Sequence, residues 1–124
     1  MPVWIGGNTP AAHRRVVRFG NAFHAAFEPL SVVSEQWAQI QAECVRVGRD
    51  PKELRLSLRV FLDPAGAMPP DKSIQGTADE MLARIAELKA IGVDHVLLDP
   101  VARGGPQARM DAIRAFMENI APHA

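Results

Sequence analysis

The most regular pattern in the chain is Leu54-Arg55-Leu56-Ser57-Leu58-Arg59-Val60-Phe61-Leu62, in which every second position is aliphatic. A period of two places those side chains on one face of a strand and Arg55, Ser57, Arg59 and Phe61 on the other. Elsewhere the period becomes helical. From Ser31 to Val47, with Ser31 as the cap, Trp37, Ile40, Cys44 and Val47 recur at helical spacing before Gly48. Thr77-Ala78-Asp79-Glu80 is a capping box ahead of Met81, Leu82, Ile85, Leu88 and Ile91, a single apolar stripe closed by Gly92. After Gly104-Gly105-Pro106, a last helix carries Met110, Ile113, Phe116 and Ile120 on one face.

Shorter apolar runs fill in the order. Val3 to Ile5 is β-branched and aromatic, as a buried strand is, and it stops at Gly6-Gly7, where a sharp turn is permitted. Thr9 then caps a helix that begins at Pro10 and ends near Phe19-Gly20. Asn21 to Ala25 and Val93 to Leu98 read as further strands, whereas Asp63 to Gly76, rich in proline and glycine, reads as a long irregular loop. The predicted order is β-α-β-α-β-α-β-α. It implies right-handed crossovers and a parallel sheet, either doubly wound or part of a (β/α) barrel. No internal sequence repeat is evident.

At 124 residues the chain is read as one domain, residues 1–124. Lys plus Arg and Asp plus Glu number 14 each, so no basic excess points to nucleic acid or to an anionic membrane. The single cysteine, Cys44, excludes an intramolecular disulfide and is assigned to the core, and the four scattered histidines give no metal-ligand spacing. No apolar run approaches the roughly 20 residues of a membrane span, and the chain does not open with the basic-then-apolar order of a signal peptide. A soluble, cytoplasmic protein is expected.

The candidate chemistry lies at the first turn. Amides at a strand-to-helix turn such as Gly6-Gly7-Asn8-Thr9 point outward at the positive end of a helix and favour an anion, with Arg14 or Arg15 close by. The alternative is a tight turn that binds nothing. His24 lies in an apolar run, where a histidine is more often packed than catalytic, and His13, His95 and His123 suggest no constellation. Arg55 and Arg59 face away from the leucines of their strand, so inside a barrel each needs a partner or an anionic ligand.

Several segments together resemble the luciferase-like monooxygenase family, closest to its branch dependent on coenzyme F420. They are Pro2-Val3-Trp4-Ile5-Gly6-Gly7-Asn8 with Arg14-Arg15, Arg18-Phe19-Gly20-Asn21-Ala22-Phe23-His24, Val47-Gly48-Arg49-Asp50-Pro51, Ile74-Gln75-Gly76-Thr77-Ala78-Asp79-Glu80 and Gly92-Val93-Asp94-His95-Val96-Leu97-Leu98. Members of the family are (β/α)8 barrels of about twice this length. The resemblance therefore implies four consecutive βα units, the C-terminal half of a barrel, with Val3–Ile5 as the fifth strand. It also implies an F420- or FMN-dependent oxidoreductase or monooxygenase whose cofactor phosphate is held by loop amides at Gly6, Gly7, Asn8 and Thr9 and at Gly20, Asn21, Ala22 and Phe23. The second set departs from the family, with Asn21, Ala22 and Phe23 where aspartate, glycine and tryptophan are usual. No catalytic residue is nominated, because the chemistry belongs to the cofactor. Half a barrel exposes strand edges, so a homodimer or a partner chain supplying the missing strands is expected, and no turnover by the chain alone. The rival expectation is a non-catalytic half-barrel acting as a binding or interaction module.

Overall fold

Every second residue of the alternating run goes under the helices. Leu54, Leu56, Leu58, Val60 and Leu62 are all buried in one cluster with Val16, Val17, Val33, Trp37, Ile40, Cys44, Ile85 and Leu88. The computed structural model describes all 124 residues and builds them as β1 (Trp4–Ile5), α1 (Pro10–Phe19), β2 (Ala22–Ala26), α2 (Leu30–Val47), β3 (Arg55–Asp63), β4 (Ser73–Gln75), α3 (Ala78–Ala90), β5 (Val93–Pro100) and α4 (Gly105–Asn119). All strand pairs are parallel. Neighbours run β1-β2-β3, with β5 on the far edge of β3 and β4 beside the end of β3.

The order β1-β2-β3-β5 advances in one direction, with only the three-residue β4 set back on the β2 edge of β3, and the helices cover one face only. A doubly wound sheet reverses its order and is covered on both faces, so this is half of a (β/α)8 barrel with its concave face open. Four βα units are present as expected. The reading of Asp63 to Gly76 as an irregular loop is corrected: it holds a short 3-10 turn at Pro70–Lys72 and then β4, which pairs Phe61, Leu62 and Asp63 with Ser73, Ile74 and Gln75. Ile74 is fully buried, and its burial draws this short segment into the sheet.

Local signals explain the ends. The Thr9 hydroxyl accepts from the Ala12 amide at 3.2 Å, and the Thr77 capping box is complete. Ser31 is no cap; α2 starts one residue earlier, after Pro29, without a side-chain cap. Gly48 closes α2 in the left-handed conformation, which lets the chain turn so that the Arg49 guanidinium donates to the carbonyls of Val17 at 2.7 Å and Gly20 at 2.9 Å. One side chain thus satisfies the end of α1 from the end of α2. Ile113 and Phe116 of α4 and Ile120 just past its end pack on the core, but Met110 stays exposed.

Leu58→Ala should lower stability by about 2–5 kcal/mol, since Leu58 is buried beneath the helices in a strand paired on both edges. Urea unfolding followed by circular dichroism measures this; a smaller loss would mean that the helix layer collapses onto the gap. Stability should also fall as pH drops from about 7.5 to about 5.5. His13 is buried on α1 against the edge of Phe23, 5.6 Å between ring centres, and burial holds its imidazole below the ordinary 6.5. The unfolded chain therefore takes up the proton first, and the stabilisation present near neutrality begins to fall at the unfolded value and is lost as pH drops through the lower folded one. Replacing His13 by Leu should make the dependence shallower, leaving the share of His24, whose imidazole burial also lowers, and an equally steep dependence in that variant would assign it to His24.

Candidate functional site

The concave face is lined by the alternate residues that the helices do not cover, and it is layered. At the N-terminal end of the strands Arg55 meets Asp94 at 3.4 Å in an exposed pair. In the middle, His24, Ser57 and His95 are register partners on β2, β3 and β5. Ser57 Oγ lies 2.9 Å from His24 Nδ1 and 3.2 Å from His95 Nδ1. Trp4 reaches across this row from β1, its ring centre 6.0 Å from that of His24 and 4.7 Å from that of His95. Above it Arg59 donates to Asp99 at 2.5 Å and lies 4.9 Å over the Phe27 ring, which stacks on Phe61 at 4.3 Å. Arg59 thus has the partner that its position demands.

Two features stand out, one electrostatic and one of the backbone. Burial pushes the His24 imidazole below its ordinary value, and the charges of His95 and Arg59 push it the same way. Phe27 adopts a positive φ of 53°, rare for a bulky residue, just past the end of β2. Its amide donates to the Arg59 carbonyl at 2.9 Å, and its ring lies between Arg59 and Phe61, so the surroundings hold the conformation in place.

Beside this face, at the C-terminal end of β1, lies a cleft of about 370 Å³ lined by Gly6, Gly7, Asn8, Phe23, His24, Ala25, Ala26, Glu28 and Gln36. Its size falls at the small end of ligand pockets. Gly7 has a φ of +117°, and a Cβ there would stand 2.7 Å from that of Ala12, so only glycine makes this turn. Thr9 caps α1 and does not line the cleft. Pro10 has no N–H and Thr9 occupies the Ala12 amide, so donors for an anion must come chiefly from the turn itself.

The second set of sequence-predicted residues does not join the first. The register Trp4↔Ala22 and Ile5↔Phe23 puts Gly6 and Gly7 past the C-terminal end of β1, whereas Gly20 and Asn21 precede the N-terminal end of β2. Asn21 spends its side chain and amide on the residue just before β1, with Oδ1 accepting from Val3 N at 2.7 Å and N donating to Val3 O at 2.7 Å. Ala22 is fully buried. Phe23 is also buried, under α1, and only borders the cleft. The expectation for Gly20 and Asn21 is therefore corrected: both sit at the wrong end of the sheet. Sequence reasoning also missed Ser57, His95, Glu28 and Gln36; the two-residue period of β2, β3 and β5, once aligned, is the signal that would have joined His24, Ser57 and His95.

No three His, Cys, Asp or Glu side chains converge as a metal site requires, and no helix is long and apolar enough to cross a membrane. No family model matches the sequence, and no curated protein matches it. Solved structures match its fold. The chain is similar to the coenzyme F420 dependent tetrahydromethanopterin reductase from Methanopyrus kandleri, with a TM-score of 0.79 and 15% identity over 99% of this chain and 51% of that one. It is similar also to a riboflavin lyase solved with modified FMN and riboflavin (TM-score 0.70, 14% identity, 97% of this chain, 42% of that one). A third is a long-chain alkane monooxygenase (TM-score 0.73, 11% identity, 97% of this chain, 40% of that one). The chain spans about half the length of the structures that it matches, and at these identities the likeness is one of fold.

Proposed function

We propose that the chain is the C-terminal half of a luciferase-like, F420- or FMN-dependent oxidoreductase that holds the phosphate end of its cofactor at Gly6, Gly7 and Asn8. The observation that carries this reading is the position of the Gly6-Gly7-Asn8 turn: it opens into a cleft at the C-terminal end of the strands, where (β/α) barrels bind their ligands. The matching solved structures, among them F420- and FMN-associated proteins, support the cofactor class. When bound, the cofactor would supply hydride or oxygen chemistry. The chain's own part is to offer turn amides to the phosphate and to border the site with His24.

Glu28 favours the rival reading of a non-catalytic module, because a carboxylate lining the same cleft opposes a phosphate. Titration calorimetry with F420 and with FMN separates the two. Asn8→Asp should weaken binding about five-fold, the effect of one added charge worth about 1 kcal/mol. Glu28→Gln should strengthen it, and Gly7→Val, checked for folding, should weaken it most. Affinity unchanged in all three variants would remove the site from this turn, and no binding of either cofactor would favour the module.

The concave face and both outer strand edges are open, with Trp4 and Leu97 exposed at 44% and 39%. We infer that a second copy of the chain, or a partner chain, covers this face. Edge-to-edge pairing of two copies about a two-fold axis would continue the sheet. Light scattering at micromolar concentration should give a dimer or a larger assembly burying the same edges; a stable monomer would overturn the homodimer.

A further inference from the structure

The row of His24, Ser57 and His95 has no role in the proposed site beyond the border that His24 gives the cleft. Ser57 is fully buried and its hydroxyl stands within hydrogen-bond distance of two imidazoles at once. A hydroxyl has a single proton to donate. If it donates to one Nδ1, the other ring must donate its own Nδ1–H to the serine oxygen, and the two rings are locked in opposite tautomers. The ends of the row differ: His24 borders the cleft and is half-buried, while His95 is exposed on the far strand.

We propose that Ser57 joins His24 and His95 into a proton relay, which carries a proton from a ligand in the Gly6-Gly7-Asn8 cleft across the concave face to the far end of the row at His95. His24 Nε2 takes the proton, and His24 Nδ1–H passes its own to Ser57 Oγ. Ser57 passes its hydroxyl proton to His95 Nδ1, and His95 releases the Nε2 proton. One proton enters, one leaves, no charge remains, and the two tautomers exchange. Any ligand that must lose a proton from oxygen or nitrogen while it reacts fits this device; that use rests on the oxidoreductase reading, whereas the relay itself rests on the three side chains. The charged groups around it are Arg59 on β3, already committed to Asp99 on β5, and Glu28 on the cleft wall; Trp4 covers the pair from β1. A low His24 pKa keeps the ring neutral and able to accept near neutrality.

The test needs no cofactor, so its outcome is separate from that of the binding titrations. Nitrogen-15 spectra of the imidazoles above neutral pH should show one of the two rings as the Nδ1–H tautomer and the other as Nε2–H, in either direction. Two Nδ1–H rings would mean that Ser57 only accepts, and two Nε2–H rings titrating independently would mean that no bridge exists; either result overturns the relay. In Ser57→Ala, with the backbone spectrum confirming the fold, both rings should relax toward the Nε2–H form of free histidine; opposite tautomers that persist would show that Ser57 does not set them. In His95→Gln the His24 titration should move upward, and an unmoved titration would remove the coupling. The wild-type spectrum decides even if a variant fails to fold.

Discussion

β3 is hydrogen-bonded along both edges: β2 pairs with Arg55 to Arg59, β5 with Leu56 to Leu62, and β4 takes the remaining edge at Phe61 to Asp63. Everything else is placed relative to that strand. Because side chains alternate, a slip of one residue in either pairing would turn the leucines toward the concave side and the arginines toward the helices. The aliphatic face prevents the slip, since Leu54, Leu56, Leu58, Val60 and Leu62 would all leave the core together. The register that burial enforces on one face is what aligns His24, Ser57 and His95, and Arg59 with Asp99, on the other. Core packing and site geometry are two sides of one strand.

The main elements were legible because each rests on local chemistry. The period of two in β3, the cap at Thr9, the box at Thr77 and the stop at Gly48 depend on residues within a few positions of one another. β4 was not legible: Ser73-Ile74-Gln75 has one apolar residue, and only the existing edge of β3 makes it a strand. The resemblance led to four βα units of a half-barrel, as the fold shows, and some of its motifs acquire physical reasons. Arg49, for instance, is the side chain that ties the end of α1 to the end of α2.

The site was legible only in part. Gly6-Gly7-Asn8 could be found because a turn glycine is a local necessity. Gly20 and Asn21 were misplaced because the resemblance carried the cofactor loops over by position, although the order helix then strand already sets them before β2; the hydrogen bonds between Val3 and Asn21, 18 positions apart, fix them there. His95 looked isolated for the same reason, as its contact with Ser57 spans 38 positions. Parallel pairing makes every cross-strand neighbour distant in sequence, so a constellation built across such a sheet is invisible to spacing.

The concave face is polar, yet it largely satisfies itself. Arg55 has Asp94, Arg59 has Asp99, and Ser57 has two histidines, so further strands closing this face would contribute apolar cover for Trp4, Leu97 and Phe61 rather than partners for charges. Two atoms on this face of β3 are exceptions. Arg59 Nε and Asp63 Oδ1 are buried without a hydrogen-bond partner, although the other Asp63 oxygen accepts from the Met68 amide at 2.6 Å. Unpaired buried polar atoms are costly and few in folded proteins. Both belong to the C-terminal half of β3, the end at which barrels build their sites, while the pairing of Arg55 leaves the N-terminal end complete. The polar deficit of the concave face is therefore concentrated where a ligand or a closing chain would meet it, and the rest of that face holds together without either.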